Sequence, residues 1–208
     1  MGSNPNDGES LRISAEQVVR NSNELIEQSK ELQWRMAVLL NHLKALQRCT
    51  GNRNRAGCLA WNQSSPLDWV LDLALRLTKA TKGNLQLFDP ESGVLHIAAQ
   101  TGFNRKFLQH FEFVHAGEAA ACGQALQTRR RVIVEDVAQS TVFDGTPARE
   151  VLLDAGVKAV QSTPLVSRSG AFLGMLSTHW ASPHLPSSFD LARLDVLARS
   201  VADWLEQP

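Results

Sequence analysis

The stretch GVKAVQSTPLVSRSGAFLGMLSTHW, residues 156–180, decides the fold. Two runs rich in apolar and β-branched residues flank SRSG, residues 167–170, where serine and glycine favour a tight turn. The stretch therefore predicts two antiparallel β-strands joined by a hairpin. The second strand ends in serine, threonine and His179, so we expect either a binding site or a polar edge of the sheet at this end.

A second hairpin is predicted upstream, where NLQLFD and VLHIAAQ flank the turn sequence DPESG. Side chains alternate between the two faces of a strand. If Leu85 and Leu87 pack on flanking helices together with Leu95 and Ile97, then Asn84 and Gln86 point to the opposite face. That opposite face is expected to carry polar groups.

Helical patterns surround the two hairpins. Pro66 opens an amphipathic helix, PLDWVLDLALRLTKATK, which we expect to end at Gly83. Ser187 and Asp190 form a capping box at the start of the last helix. Shorter helices are predicted at NRKFLQHF, ACGQALQTR and AREVLLDA, with a strand at VIVEDV. This order predicts an α+β fold, with an antiparallel sheet that helices cover on both faces.

The N-terminal part has a different pattern. Residues 11–48 contain no proline or glycine and repeat an apolar residue every seven positions, at Leu11, Val18, Leu25, Leu32, Leu39 and Leu46. The repeat predicts a long heptad-patterned helix for dimerisation and signalling, with packing of this helix on its own domain as the alternative. Residues 1–10 are expected to be disordered, and residues 49–65, rich in Gly, Asn, Ser and Arg, to form a linker.

Composition limits the classes of function. Lys+Arg and Asp+Glu balance at 21 each, which argues against a nucleic-acid or membrane-surface partner. No apolar run approaches the ~18 residues of a membrane span, so we expect a cytoplasmic protein. The three cysteines, Cys49, Cys58 and Cys122, have neither CxxC nor Cys/His spacing, so neither a zinc site nor any other metal site is expected.

The stretch of residues 66–206, about two thirds of the chain, resembles a GAF domain, a small-molecule and dimerisation module of bacterial signalling proteins. The resemblance is carried by QLFDPESGVLHIAAQTGF, ACGQALQTRRRVIVEDV and the hairpin of residues 156–180, in this order and spacing. It implies a central antiparallel sheet with the first and last helices on one face. On the other face it implies a pocket under loops and short helices.

The same resemblance implies site residues. The strand that ends at His179 is similar to the one that lines the chromophore cavity of phytochrome GAF domains, which places His179 and Ser177 in the pocket. Ser162 on the preceding strand joins them, and Arg149 approaches from the covering helix, where it can pair with an anionic ligand. With Asn84 and Gln86 these four residues form the predicted ligand site. Alternatively, these polar groups bond to loop backbones that need partners.

Two chemistries known in this family lack their residues here. Covalent bilin attachment needs a cysteine on the helix before the last hairpin, where this chain reads TPAREVLLDAG. Free methionine-sulfoxide reductases have a segment similar to GEAAACGQA, with Cys122 at the matching place. Their attacking thiol, however, lies in a second segment, which here reads STVFDGTPARE. No catalytic residue is therefore assigned.

The sequence predicts a non-enzymatic GAF sensory module that binds a small molecule of unknown identity and dimerises through helices. Its homodimer is expected to relay the signal to a separate partner, such as a histidine kinase. A ligand-free dimerisation scaffold is the main alternative. A bilin photoreceptor and a methionine-sulfoxide-reductase-like enzyme are the others.

The heptad assignment is tested by Leu39→Glu, which places a charge in the seam. We expect a lower oligomeric mass by light scattering, or a lower melting temperature, because a buried unpaired charge disrupts helix packing. Asn41→Glu, two positions further and off the seam, is the matched control. Unchanged mass and melting of Leu39→Glu contradict the coiled-coil assignment.

Overall fold

The computed structural model describes residues 17–23, 26 and 65–207. The chain divides into two units, residues 1–53 and 54–208. In the first unit the described residues are helical. The remainder of the predicted heptad helix lies outside the described residues.

The predicted N-terminal segment, residues 1–10, also lies outside the described part, as do residues 49–64 of the predicted linker. Within the described ranges, none of the helices combines the length and the hydropathy that crossing a bilayer requires.

The second unit combines six strands with five helices among its described residues. In chain order the elements are α1 (Pro66–Thr78), β1 (Lys82–Asp89), β2 (Val94–Thr101), α2 (Arg105–His110), β3 (Phe113–Val114), α3 (Ala121–Thr128), β4 (Val132–Val134), a 3-10 turn (Thr141–Phe143), α4 (Pro147–Asp154), β5 (Ala159–Val166), β6 (Phe172–Trp180) and α5 (Ser188–Leu205). The strands form one antiparallel sheet in the order β3-β2-β1-β6-β5-β4. The predicted α+β fold is therefore confirmed.

The two long helices of this unit begin at serine caps, as their sequences predict. The Ser65 hydroxyl accepts a hydrogen bond from the Leu67 amide at 3.1 Å, and Ser187 accepts one from the Asp190 amide at 3.1 Å. Each cap satisfies an amide that has no partner within its helix. The starts of α1 and α5 are therefore defined by local sequence.

The end of α1 differs from the prediction. The helix ends at Thr78, and Lys79 takes a left-handed conformation with φ of 55°. Gly83 does not end the helix but lies within β1. A Cβ atom there would come within 2.9 Å of side-chain atoms of Leu71 and Leu75. Gly83 therefore allows the strand to approach α1 closely.

The sheet separates two layers of helices. Leu85 of β1 and Leu176 of β6 are paired and fully buried on the face next to α1 and α5. On the other face, a cluster of buried apolar residues includes Val160 and Met175 of the sheet and Phe107 of α2. Both faces of the sheet are therefore covered.

The prediction for β2 was wrong about the face of Leu95 and Ile97. A register shift between Leu85 and Gln86 places Ile97 opposite Gln86 and Leu95 opposite Phe88. Paired residues share a face. Leu95 and Ile97 therefore pack on the side away from α1 and α5, because the bulge inserts one extra residue into the alternation.

Gly174 allows β6 to approach β1. An added Cβ at this position would lie 2.1 Å from the backbone oxygen of Gln86. Backbone atoms cannot move aside as the end of a flexible side chain can. The pairing of the two central strands therefore requires glycine here.

We expect Gly174→Ala to lower the free energy of unfolding by roughly 3 kcal/mol or more, because the methyl group forces the strands apart. Gly93→Ala is the control: it has φ of +72° and nothing within 4 Å of the added atom. Its cost is the backbone strain alone, about 1–2 kcal/mol. Urea denaturation measures both, and equal losses would contradict the steric argument.

Candidate functional site

A cavity lies on the face of the sheet opposite α1 and α5. The space between its lining atoms is about 280 Å³ when the part open to solvent is counted, and its enclosed part is far smaller. The central strands form its floor, and α2, the start of α3, the 3-10 turn and α4 contribute its walls. The lining residues are Asn84, Phe107, Phe111, Ala120, Ala121, Cys122, Phe143, Leu152, Val160, Ser162, Ser177 and His179.

The floor brings together four of the six predicted site residues. Asn84 of β1 is paired with Ser177 of β6, which in turn is paired with Ser162 of β5. The three residues therefore form one row across the sheet. His179 lies two positions along β6 on the same face. Residues distant in sequence thus converge because of strand register.

The two serines of the row are hydrogen-bonded to each other. Their hydroxyl oxygens lie 2.8 Å apart, and either can be the donor. Both side chains are buried. A pair of hydroxyls has two protons, and their mutual bond uses only one. The pair therefore keeps one donor for a further partner.

Two other floor atoms have no hydrogen-bond partner in the part of the chain that the structure describes. These are Oδ1 of Asn84 and Nδ1 of His179, and both residues are only 3% exposed. Buried polar groups are almost always hydrogen-bonded, and leaving one without a partner is unfavourable. The alternative in which these groups bond to loop backbones therefore finds no support at these two atoms.

His179 is held neutral by its surroundings. Its ring meets Phe103 edge-to-face at 4.9 Å between centroids and Phe107 at 5.8 Å. Burial lowers the pKa of His179 to about 3, and a backbone hydrogen bond with Lys82 opposes this shift only in part. At neutral pH the imidazole carries no charge.

The other two predicted residues do not line the cavity. Gln86 lies on the same sheet face, paired with Met175, and is fully buried. Neither of its amide atoms has a hydrogen-bond partner among the described residues. Arg149 donates from Nη2 to the backbone oxygen of Ser140 at 2.9 Å, and its Nη1 lies 3.2 Å from Asp144. Arg149 therefore holds the segment that carries Phe143 and does not reach the floor.

The sequence analysis named none of the residues that form the apolar walls. Phe107 of α2 and Phe111, the residue that caps the end of α2, are four positions apart, with ring centroids 4.6 Å apart. This spacing places two residues on one face of a helix. It is the sequence feature from which these two wall residues could have been predicted. Phe143 and Leu152, from the turn and α4, complete an apolar wall opposite the polar floor.

Cys122 contributes a thiol to the wall at the start of α3. The residue packs against the apolar cluster, and burial raises the pKa of the thiol to about 12. The thiolate is the nucleophilic form of cysteine. At neutral pH the Cys122 side chain is therefore a protonated thiol.

Comparisons with known proteins agree with the fold described above. Residues 67–206 match the family model described as GAF domain. The search of curated proteins gave no match.

Solved structures with the same fold come from several bacterial proteins. The GAF domain of an Acinetobacter phosphoenolpyruvate-protein phosphotransferase has a TM-score of 0.58 and 16% identity, covering 82% of this chain and 89% of that one. A domain described as part of a two-component sensor histidine kinase from Sinorhizobium meliloti has a TM-score of 0.52 and 19% identity. The match covers 65% of this chain and 85% of that one. Free methionine-R-sulfoxide reductase from Neisseria meningitidis has a TM-score of 0.54 and 20% identity, covering 68% of this chain and 76% of that one. At these identities the likeness shows the fold alone.

The neutral His179 predicts a pH dependence of stability. Below about pH 6.5 the unfolded chain binds a proton at this residue that the folded chain does not bind until about pH 3. Stability is therefore lost as pH falls through this window. Between pH 7 and pH 5 we expect the wild type to lose about 2 kcal/mol more unfolding free energy than His179→Gln.

Urea denaturation at several pH values measures this difference. His115→Gln, at an exposed position, is the matched control for the loss of an imidazole. Parallel pH profiles for the wild type and His179→Gln would contradict the neutral, buried state of the ring.

Proposed function

The chain belongs to the GAF domain family, and we propose that it is a non-enzymatic sensory module whose bound small molecule signals through helices to a partner protein. The cavity is the ligand site, and the flanking helices are the output. Small changes at the site can be passed on because packed helices shift between discrete arrangements.

The cavity floor is the single observation that carries the ligand-binding proposal. It presents Oδ1 of Asn84 and Nδ1 of His179, both buried without a partner, beside a serine pair that keeps one donor. A concave apolar site with a few converging polar groups is the usual form of a small-molecule pocket. A ligand that bonds to these atoms removes the cost of leaving them unpaired.

The non-enzymatic part of the proposal rests on the chemistry of the lining. Among the described residues that line the cavity, the titratable side chains are those of Cys122 and His179. The first is a protonated thiol, since its pKa is about 12, and the second is a neutral imidazole that lacks a carboxylate partner. Neither group is activated for nucleophilic attack.

The helical face supports the proposed homodimer. On the outer side of α5, Val196 is 54% exposed. Apolar side chains on the outer surface of packed helices favour association. We therefore assign this face to a second copy of the chain, and the output to a separate signalling protein such as a histidine kinase.

A thermal-shift screen tests ligand binding. We expect at least one compound among nucleotides, cyclic nucleotides, keto acids, amino acids and their uncharged derivatives to raise the melting temperature. A ligand that binds only the native state stabilises it by about 2.7 kcal/mol at 100 times its Kd. The Ala121→Leu variant, which fills the cavity, should lose this shift.

Ala138→Leu is the matched control, since it makes the same change at an exposed position away from the cavity. An equal shift in Ala121→Leu would place the binding elsewhere. No shift with any compound would favour the ligand-free scaffold.

A further inference from the structure

We propose that the cavity selects an uncharged ligand that carries a carboxamide or lactam group on a small apolar body, and that it rejects anions. This inference rests on the proposed function, since it concerns the same cavity, and it specifies the chemical class of the ligand. It departs from the expectation that Arg149 receives an anionic ligand.

No described residue in the cavity lining is charged at neutral pH. The polar members are Asn84, the two serines, His179 and Cys122, and the others are apolar. Burial keeps the imidazole neutral and the thiol protonated. A charged ligand would therefore lose its hydration without gaining an opposite charge, which is strongly unfavourable.

The neighbouring cations are engaged elsewhere. Lys82, the cross-strand partner of His179, donates from Nζ to the backbone oxygen of Gly102 at 2.6 Å. The guanidinium of Arg149 is held by the Ser140 backbone and the Asp144 carboxylate. Recruiting either cation to the floor would require breaking these contacts.

The floor has the hydrogen-bond pattern that complements an amide. Asn84 Oδ1 accepts and needs a donor, which an amide N–H supplies. The paired neighbour Ser177 belongs to the serine pair, which keeps one O–H donor for a carbonyl oxygen. One donor and one acceptor on adjacent strands match the N–H and C=O of a single amide group. A carboxylate has no donor for Oδ1 of Asn84 and brings a charge.

The walls define the rest of the ligand. Phe107, Phe111, Phe143 and Leu152 line the cavity with apolar surface, and three of them are aromatic. The space of about 280 Å³ includes the open mouth, so the body of the ligand is small. Apolar contact with these side chains favours an aromatic or branched aliphatic body.

Matched pairs of amides and carboxylates test the inference. The full chain is titrated at neutral pH with benzamide and benzoate, nicotinamide and nicotinate, and isobutyramide and isobutyrate, and binding is measured by thermal shift and calorimetry. We expect the amide of at least one pair to bind at least tenfold more tightly than its carboxylate. The Asn84→Leu variant should bind that amide at least tenfold more weakly than the wild type.

Folding of the variant is controlled by its melting temperature without ligand. Asn84→Leu removes a buried carbonyl that has no partner, so this temperature should stay equal or rise. If the variant does not fold, Ser177→Ala replaces it as the test, because this change removes one hydroxyl of the pair and should also weaken amide binding at least tenfold.

The outcomes separate this inference from the proposed function. Carboxylates that bind as tightly as their amides overturn the neutral-ligand inference and leave ligand binding intact. A second outcome is that another metabolite binds but no amide does, and that its thermal shift is lost in Ala121→Leu. This outcome also overturns the neutral-ligand inference and leaves ligand binding at the cavity intact. If neither the amides nor the metabolite screen stabilises the wild type, both proposals fail. Unchanged amide affinity in a folded Asn84→Leu overturns the assigned role of the floor.

Discussion

The antiparallel pairing of β1 with β6 is the constraint on which the rest of the structure depends. It joins the first hairpin to the last one, and its close backbone approach is possible because residue 174 has no side chain. The register of this pair decides which side chains face the long helices and which face the cavity. Leu85 and Leu176 are buried against one layer, and the same alternation places Asn84 and Ser177 in the other.

The charged side chains of the ion pairs lie at the surface, whereas the cavity in the interior is neutral. The pairs Lys106–Asp154 and Arg76–Asp72 have largely exposed side chains. Such exposed pairs contribute little to stability. The cavity instead contains groups whose charged forms are suppressed by burial. Recognition there depends on hydrogen-bond complementarity and shape, because long-range electrostatic attraction is absent among the lining residues that the structure describes.

Much of this arrangement could be predicted from sequence, because it follows from local rules. Strand alternation placed Asn84 and Gln86 on one face, and the serine caps marked the starts of the long helices. The errors come from features that depend on tertiary contacts. A bulge in the first hairpin reversed the faces of Leu95 and Ile97, and no composition signal marks that extra residue.

Arg149 illustrates a second limit of sequence reasoning. Position on the covering helix was inferred correctly, but the direction of a long side chain depends on which acceptors lie nearby. Here the acceptors belong to the loop before the helix, at Ser140 and Asp144. Likewise, Gly83 is typical of a helix end by residue type, whereas its role is close packing of β1 against α1.

The hydrogen bond between Ser162 and Ser177 has one further consequence. Either oxygen can donate, so rotation of two hydroxyl groups reverses the polarity of this part of the floor without moving the backbone. A bound ligand can therefore accept a hydrogen bond from Ser162 of β5 or from Ser177 of β6. The strand that donates this bond depends on how the ligand is oriented.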